Sequence, residues 1–163
     1  MTAPIAADAV HDFDFFQGRW DVHHRRLKQR HVGSQDWDEF PGTSVCWQLL
    51  GGLANVDDNH MPLRAMRGMT LRVFDPARGL WSIWWVNGRD GILQPPVVGR
   101  FENGVGLFHG EDVDEERPIK VVYRWTVASE ASARWEQAFS IDDGRSWETN
   151  WIMTFTRTGP APR

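Results

Sequence analysis

The sequence predicts an all-β fold: a single antiparallel, up-and-down β-barrel of about eight to ten strands with a short helical plug at its N-terminal end. Ten tryptophans stand among 163 residues, nearly all on short alternating stretches and none in a run long enough for a helix. Turn dipeptides recur at hairpin spacing. Apolar and polar residues alternate through most of the intervening segments. A sheet with one dry face must close on itself or be covered, and no helical segment is available to cover this one.

The first element is the exception. Ala6 to Phe16 reads as a short helix or helical turn ahead of Gly18, with Phe13, Phe15 and Phe16 as the apolar plug. Strands then follow at Arg19–Arg30, Trp37–Leu50, Leu53–Met61, Arg67–Phe74, Leu80–Val86, Leu93–Glu102, Val105–Asp112, Pro118–Val127, Ala133–Ile141 and Ser146–Arg157. Their punctuation is Asp75-Pro76-Ala77-Arg78-Gly79, the longer Asn87-Gly88 to Asp90-Gly91 turn, and the tight dipeptides Asn103-Gly104 and Asp143-Gly144. The chain reads as one domain over 1–163, with an arm at 1–12 and a frayed tail at 158–163.

Side chains of a strand alternate between its two faces, so phase says what points inward. Ile119, Val121, Tyr123, Trp125 and Val127 form one apolar row, and Trp135, Gln137, Phe139 and Ile141 the next. Trp147, Thr149, Trp151, Met153 and Phe155 form a third, with Met69, Leu71, Val73, Trp20 and Val22 completing the inner surface. Along the first strand this phase continues to His24 and Arg26, and aromatic walls interrupted by a few polar groups are the usual composition of a small-molecule pocket. The candidate ligand contacts are therefore Val22, His24, Arg26, Trp47, Leu71, Trp85, Tyr123, Trp125, Trp135, Gln137, Thr149 and Trp151.

Composition narrows the function. With 41% hydrophobic and 25% charged residues the chain is ordinary for a globular protein, and at this length it buries roughly 70% of the surface of its unfolded form. A net charge of -4 with interspersed signs offers no basic stripe for nucleic acid. No stretch reaches the ~20 apolar residues of a membrane span. The single Cys46 precludes an internal disulfide, and Met1-Thr2-Ala3-Pro4 does not open like a secretory signal, so a cytoplasmic location is expected.

Gly18-Arg19-Trp20 at the head of the first strand resembles the Gly-x-Trp signature of lipocalins and related calycins. Phe13 to Val22, together with Leu50-Gly51-Gly52 and Thr70 to Asp75, is similar to uncharacterised bacterial calycin-like proteins. The resemblance implies a cavity for a hydrophobic or aromatic ligand. It also implies that an arginine late in the last strand, here Arg157, packs over Trp20 to close the barrel base, a cation–π contact of ~1 to 2 kcal/mol.

Three further readings remain open. In a cofactor-independent enzyme, His24 would act as acid or base and Arg26 would stabilise an oxyanion in the same cavity. Haem is a minor alternative, with no way to choose its axial ligand among six histidines; otherwise no cofactor is expected. An interaction module filled by its own indoles is the third.

Elsewhere the chemistry is sparse. His23 and His24 point to opposite faces and cannot share a metal, whereas Asp58 and His60 share one face and could form a metal or base pair. Cys46, in an apolar strand, reads as packing. Neither Gly51-Gly52 nor Gly104-Val105-Gly106 opens a helix that could bind phosphate, and Glu111 to Glu116 reads as a solvated loop. Around Trp84, with Val86 and Val98 or Phe108, an outward apolar patch suggests a homodimer.

Overall fold

Ten strands form one closed antiparallel barrel: β1 (Gly18–Leu27), β2 (Trp37–Leu49), β3 (Ala54–Met61), β4 (Met66–Asp75), β5 (Leu80–Asn87), β6 (Val97–Glu102), β7 (Val105–Asp114), β8 (Arg117–Ser129), β9 (Ser132–Ser140) and β10 (Glu148–Gly159). The structure is a computed structural model that describes residues 8–162. Each strand pairs with the next in sequence and β1 closes on β10, so every edge is satisfied. The seams are unequal: β5 and β6 share only Trp81↔Gly99, Ser82↔Val98 and Ile83↔Val97. Pro95 and Pro96 explain that short pairing, since neither can donate to a ladder, and β6 therefore begins at Val97 rather than at Leu93.

The turn chemistry is as the dipeptides require. Asn103 and Gly104 both have positive φ, 53° and 78°, the conformation that a tight primed turn demands of its two central residues. At the chain ends the expectations shift slightly. The expected helical plug is present as two 3-10 turns, Ala9–His11 and Asp14–Phe16; Ala6 and the rest of 1–7 lie outside the described residues. At the other end β10 stays paired through Gly159 opposite Arg19, so Thr158 and Gly159 belong to the sheet and not to a tail.

The two turns fill one mouth of the barrel. Phe13 and Phe16 are buried, and burying a side chain of this size contributes about 1.5–3 kcal/mol. Indole N–H groups hold the plug by its backbone: Trp20 donates to the Phe16 carbonyl at 2.9 Å and Trp81 to the Ala9 carbonyl at 3.0 Å. Arg157 lies 4.3 Å over the Trp20 ring, the contact expected from the calycin resemblance. Its guanidinium also donates to the carbonyls of Phe15, Gln17 and Glu130. Gly18 is required here, because it has φ +130° and a Cβ would stand 2.5 Å from Arg157 Nη1.

On β4 the inward phase is the reverse of expectation, and β3 beside it also turns a polar row inward. The rows facing in are Asn55, Asp57, Asn59 and Met61 on β3, and Gly68, Thr70, Arg72 and Phe74 on β4. Met69, Leu71 and Val73 consequently face out, with Met69 40% exposed. A polar row inside a barrel needs hydrogen-bond partners, and Arg72, Asp57, Asn55 and Ser44 supply them to one another. Arg72 Nη1 donates to Asp57 Oδ1 and to Asn55 Oδ1, each at 2.9 Å, while Ser44 donates to the other Asp57 oxygen at 3.2 Å.

The last strand departs through a bulge. Register slips between Thr149 and Trp151, so Asn150 and Trp151 both turn inward and Thr149 faces out, opposite Ala138. Ile141 and Trp147, expected inside, are 45% and 42% exposed in the connection between β9 and β10. Of the patch around Trp84, the indole is half-buried on the outer face and Val98 faces outward, but Phe108 is fully buried inside. Asp58 and His60 also face outward, Asp58 taking a bidentate contact from Arg67 at 3.0 and 2.7 Å. Among the described residues no cluster of three metal-ligating side chains occurs, and no helix is long and apolar enough to cross a membrane.

Candidate functional site

Between the plug and the far mouth the barrel encloses a cavity of about 300 Å³, room for about ten waters at their liquid volume and within the lower range of ligand sites. Its two sides differ in chemistry. One side is aromatic and comes from β5 and β8 to β10: Trp85, Tyr123, Trp125, Trp135 and Trp151. The facing side is the polar row of β3 and β4: Asp57, Asn59, Thr70 and Arg72.

The aromatic side is a set of edge-to-face contacts, the arrangement that ring quadrupoles favour. Trp151 meets Trp85 at 6.0 Å and 84° and Trp135 at 5.8 Å and 83°, and Tyr123 meets Trp135 at 5.0 Å and 70°. Gly68 makes room for this set, since a Cβ there would lie 2.0 Å from Cη2 of Trp85. Burial pushes the Tyr123 hydroxyl well above its ordinary pKa, so it stays protonated. Gln137 lines the same side and donates to Asn150 Oδ1 at 2.7 Å.

The polar side is dry as well as polar. Arg72 is 3% and Asp57 1% exposed, and the Arg72 guanidinium rests on the plug, 5.2 Å over Phe13 and 5.0 Å over Phe16, with Trp125 at 5.6 Å. Four buried atoms of cavity-lining residues have no protein partner: Arg72 Nε, Asn59 Oδ1, Trp125 Nε1 and Asn150 Nδ2. Three are donors and one is an acceptor.

At the end away from the plug the wall carries charge. Arg26 lies 4.6 Å over the Trp151 ring, touches Met66 Sδ at 3.6 Å, and has no carboxylate partner among the described residues. Burial, and then Arg30 and Arg89, lower its pKa. A strap formed by the β1–β2 connection crosses this end. Arg30 grips Asp114 at 2.8 and 2.7 Å, His31 Nε2 reaches the same carboxylate at 2.8 Å, and the His31 backbone N–H donates to Glu148 at 2.9 Å. Burial works against the Asp114 carboxylate, yet the bonds from Arg30 and His31 outweigh it and hold its pKa below the usual range.

Seven of the residues expected at the site line the cavity: Arg26, Trp85, Tyr123, Trp125, Trp135, Gln137 and Trp151. Five do not. Trp47 and Leu71 sit on the outer face because β2 and β4 present Cys46 and Arg72 inward, and Thr149 is turned out by the bulge. Val22 is interior but is absorbed in the core around the plug. His24 is fully buried behind Trp151: its ring stacks on Phe40 at 4.8 Å and 8°, and its Nδ1 accepts from the Trp151 indole at 3.1 Å.

Burial, and then the nearby His23 and Arg26, push His24 down to about 4, so it is neutral near pH 7. His24 and Arg26 are thus not brought together facing one space, which removes the arrangement expected for acid–base chemistry. Among the described residues no histidine lines the cavity, so no axial imidazole faces it for a haem. Cys46 is buried and free, with burial raising its thiol to about 12, in keeping with a packing role.

The residues that sequence reasoning missed are Asp57, Asn59, Thr70, Arg72 and Asn150. A usable signal existed for the first four. Asn55, Asp57 and Asn59 alternate in one phase just before Thr70 and Arg72 alternate in another, a pattern that two adjacent strands with a shared polar inner face would produce.

No known family's sequence profile matches the chain, and no curated protein matches it. Among solved structures, an S-type phycobiliprotein lyase from Guillardia theta is similar, with a TM-score of 0.58 over 90% of each chain and 10% sequence identity. The likeness is one of barrel fold.

Proposed function

We propose that this barrel binds a small aromatic or hydrophobic molecule, held against the indoles of Trp85, Trp135 and Trp151. The observation that carries the reading is that these rings stand edge-on to one another around a cavity of about 300 Å³ instead of filling it. A flat guest placed there would meet indole on one side and the β3–β4 row on the other, which is how pockets combine burial with orientation. The size suits one or two fused rings. The neighbouring phycobiliprotein lyase adds a precedent for the fold and names no guest for this chain.

Tryptophan emission tests the reading directly. Titration with naphthalene should quench and shift the emission in a saturable way. Val121→Trp, which fills the space from β8, should abolish the response while the protein keeps a cooperative melt. A wild-type emission indifferent to naphthalene, or an undiminished response in the filled variant, would overturn it.

A further inference from the structure

Resting on the reading that the cavity takes an aromatic guest, we infer that this guest is an aromatic carboxylate, its rings against the indoles and its anionic end on the guanidinium of Arg26. Arg26 lines the cavity at the end away from the plug. Its register places it between Trp151 on β10 and Asp38 on β2. The guanidinium lies 4.6 Å over the Trp151 ring, so a guest seated against that indole has this cation beside it. Among the described residues a single contact, Nη1 to Met66 Sδ at 3.6 Å, engages its donors. A half-buried guanidinium with most of its five N–H groups unspent suits a planar two-oxygen anion, which it can hold by two parallel bonds.

The protein's own carboxylates leave Arg26 unmatched. Asp38, directly opposite it on β2, is taken by Arg64 instead. Asp114 is taken by Arg30 and His31. After burial, the strongest influences on Arg26 are two more cations, Arg30 and Arg89, ahead of those two carboxylates. Arg72, the other cation of the interior wall, is balanced by Asp57 at 2.9 Å and does not compete for an anion. Three further carboxylates, Asp90, Glu111 and Asp112, line the cavity from β7 and the β5–β6 connection, across the hoop from β1. Asp90 and Asp112 each turn one oxygen onto a backbone N–H, of Ile92 and Val113, and Glu111 stands opposite Lys120. They repel an anion from their own side and so favour its seat on β1.

Equilibrium dialysis of the intact protein against four compounds tests this: naphthoate, an anion; naphthamide, its neutral counterpart of the same shape; naphthylmethylamine, a cation at neutral pH; and naphthalene, which has no polar end. Naphthoate should bind about tenfold tighter than naphthamide. Arg26→Met, which keeps an apolar stem on Trp151, should bring the ratio of the two affinities to about one, and Arg26→Lys, which keeps the charge without the fork, to about threefold. Equal wild-type affinity for naphthoate and naphthamide would overturn the carboxylate and leave the aromatic guest standing. A preference for naphthylmethylamine would overturn it in favour of the acidic side of the mouth. A naphthoate preference that survives in Arg26→Met would overturn Arg26 as its seat, and failure of all four compounds to bind would remove both readings.

Discussion

The indole N–H of Trp151 donates to Nδ1 of His24, a histidine with no exposed surface. That bond fixes the tautomer, leaving the proton on Nε2, where it has no partner. The ring is held neutral between Trp151 and Phe40, and protonation would put an uncompensated charge into the wall.

Stability should therefore depend on acid in a defined window. His24 titrates at about 4 when folded against 6.5 ordinarily, so between these values the unfolded chain holds the extra proton and stability rises with pH. The contribution is complete above about pH 6.5, declines as pH falls, and is gone near pH 4; its size is on the order of 3 kcal/mol. Urea melts at about pH 7 and about pH 4.5 should show the loss, and His24→Asn should flatten it. An unchanged slope in that variant would assign the acid sensitivity elsewhere.

The Arg72–Asp57 pair should behave as a unit. Arg72→Met strands a buried carboxylate and should cost about 3–5 kcal/mol, whereas Arg72→Met with Asp57→Asn should cost clearly less than the sum of the single changes. A denaturant double-mutant cycle reads the coupling, and strict additivity would mean the two charges do not depend on each other.

Closure of the barrel base rests on the arginine fork. Arg157→Lys keeps the charge but cannot reach the carbonyls of Phe15, Gln17 and Glu130 together, and should cost about 2 kcal/mol. The near-ultraviolet circular dichroism of Trp20 should weaken with it. Gly18→Ala should have a similar effect from the other side, through its Cβ against Arg157 Nη1. A lysine variant with wild-type stability would show that the contacts to the plug are dispensable.

Gly68 governs the position of Trp85. In Gly68→Ala the new methyl displaces the indole from β4 into the cavity, so naphthalene affinity should fall about tenfold while the far side of the barrel, probed through Trp20, is undisturbed. Retained affinity would mean that Trp85 is not a wall of the binding space.

Most of the architecture was readable because it is local. Asn103-Gly104 and Asp143-Gly144 take the left-handed geometry their residue types favour, and ten segments between turns became ten strands. Gly18, Trp20 and Arg157 met as the family resemblance implied. The aromatic wall followed from simple alternation on β8 and β9. What escaped was non-local. Met69, Leu71 and Val73 are the apolar phase of β4, yet they face out because Arg72 is drawn inside by Asp57, fifteen residues earlier in the chain. No periodicity within one strand reports that bond. The one-residue slip that exchanged Thr149 for Asn150 likewise lies in pairing with β9, which a single strand does not display.

Between β5 and β6 three residue pairs form the ladder, against five between β6 and β7, with one further bridge from Val86 to Leu93 and a Gln94 N–H bond to the Trp85 carbonyl. A hoop made of seams in series parts at the shortest one. Opening there breaks few backbone bonds, so amide hydrogen exchange in the barrel should be fastest along this flank.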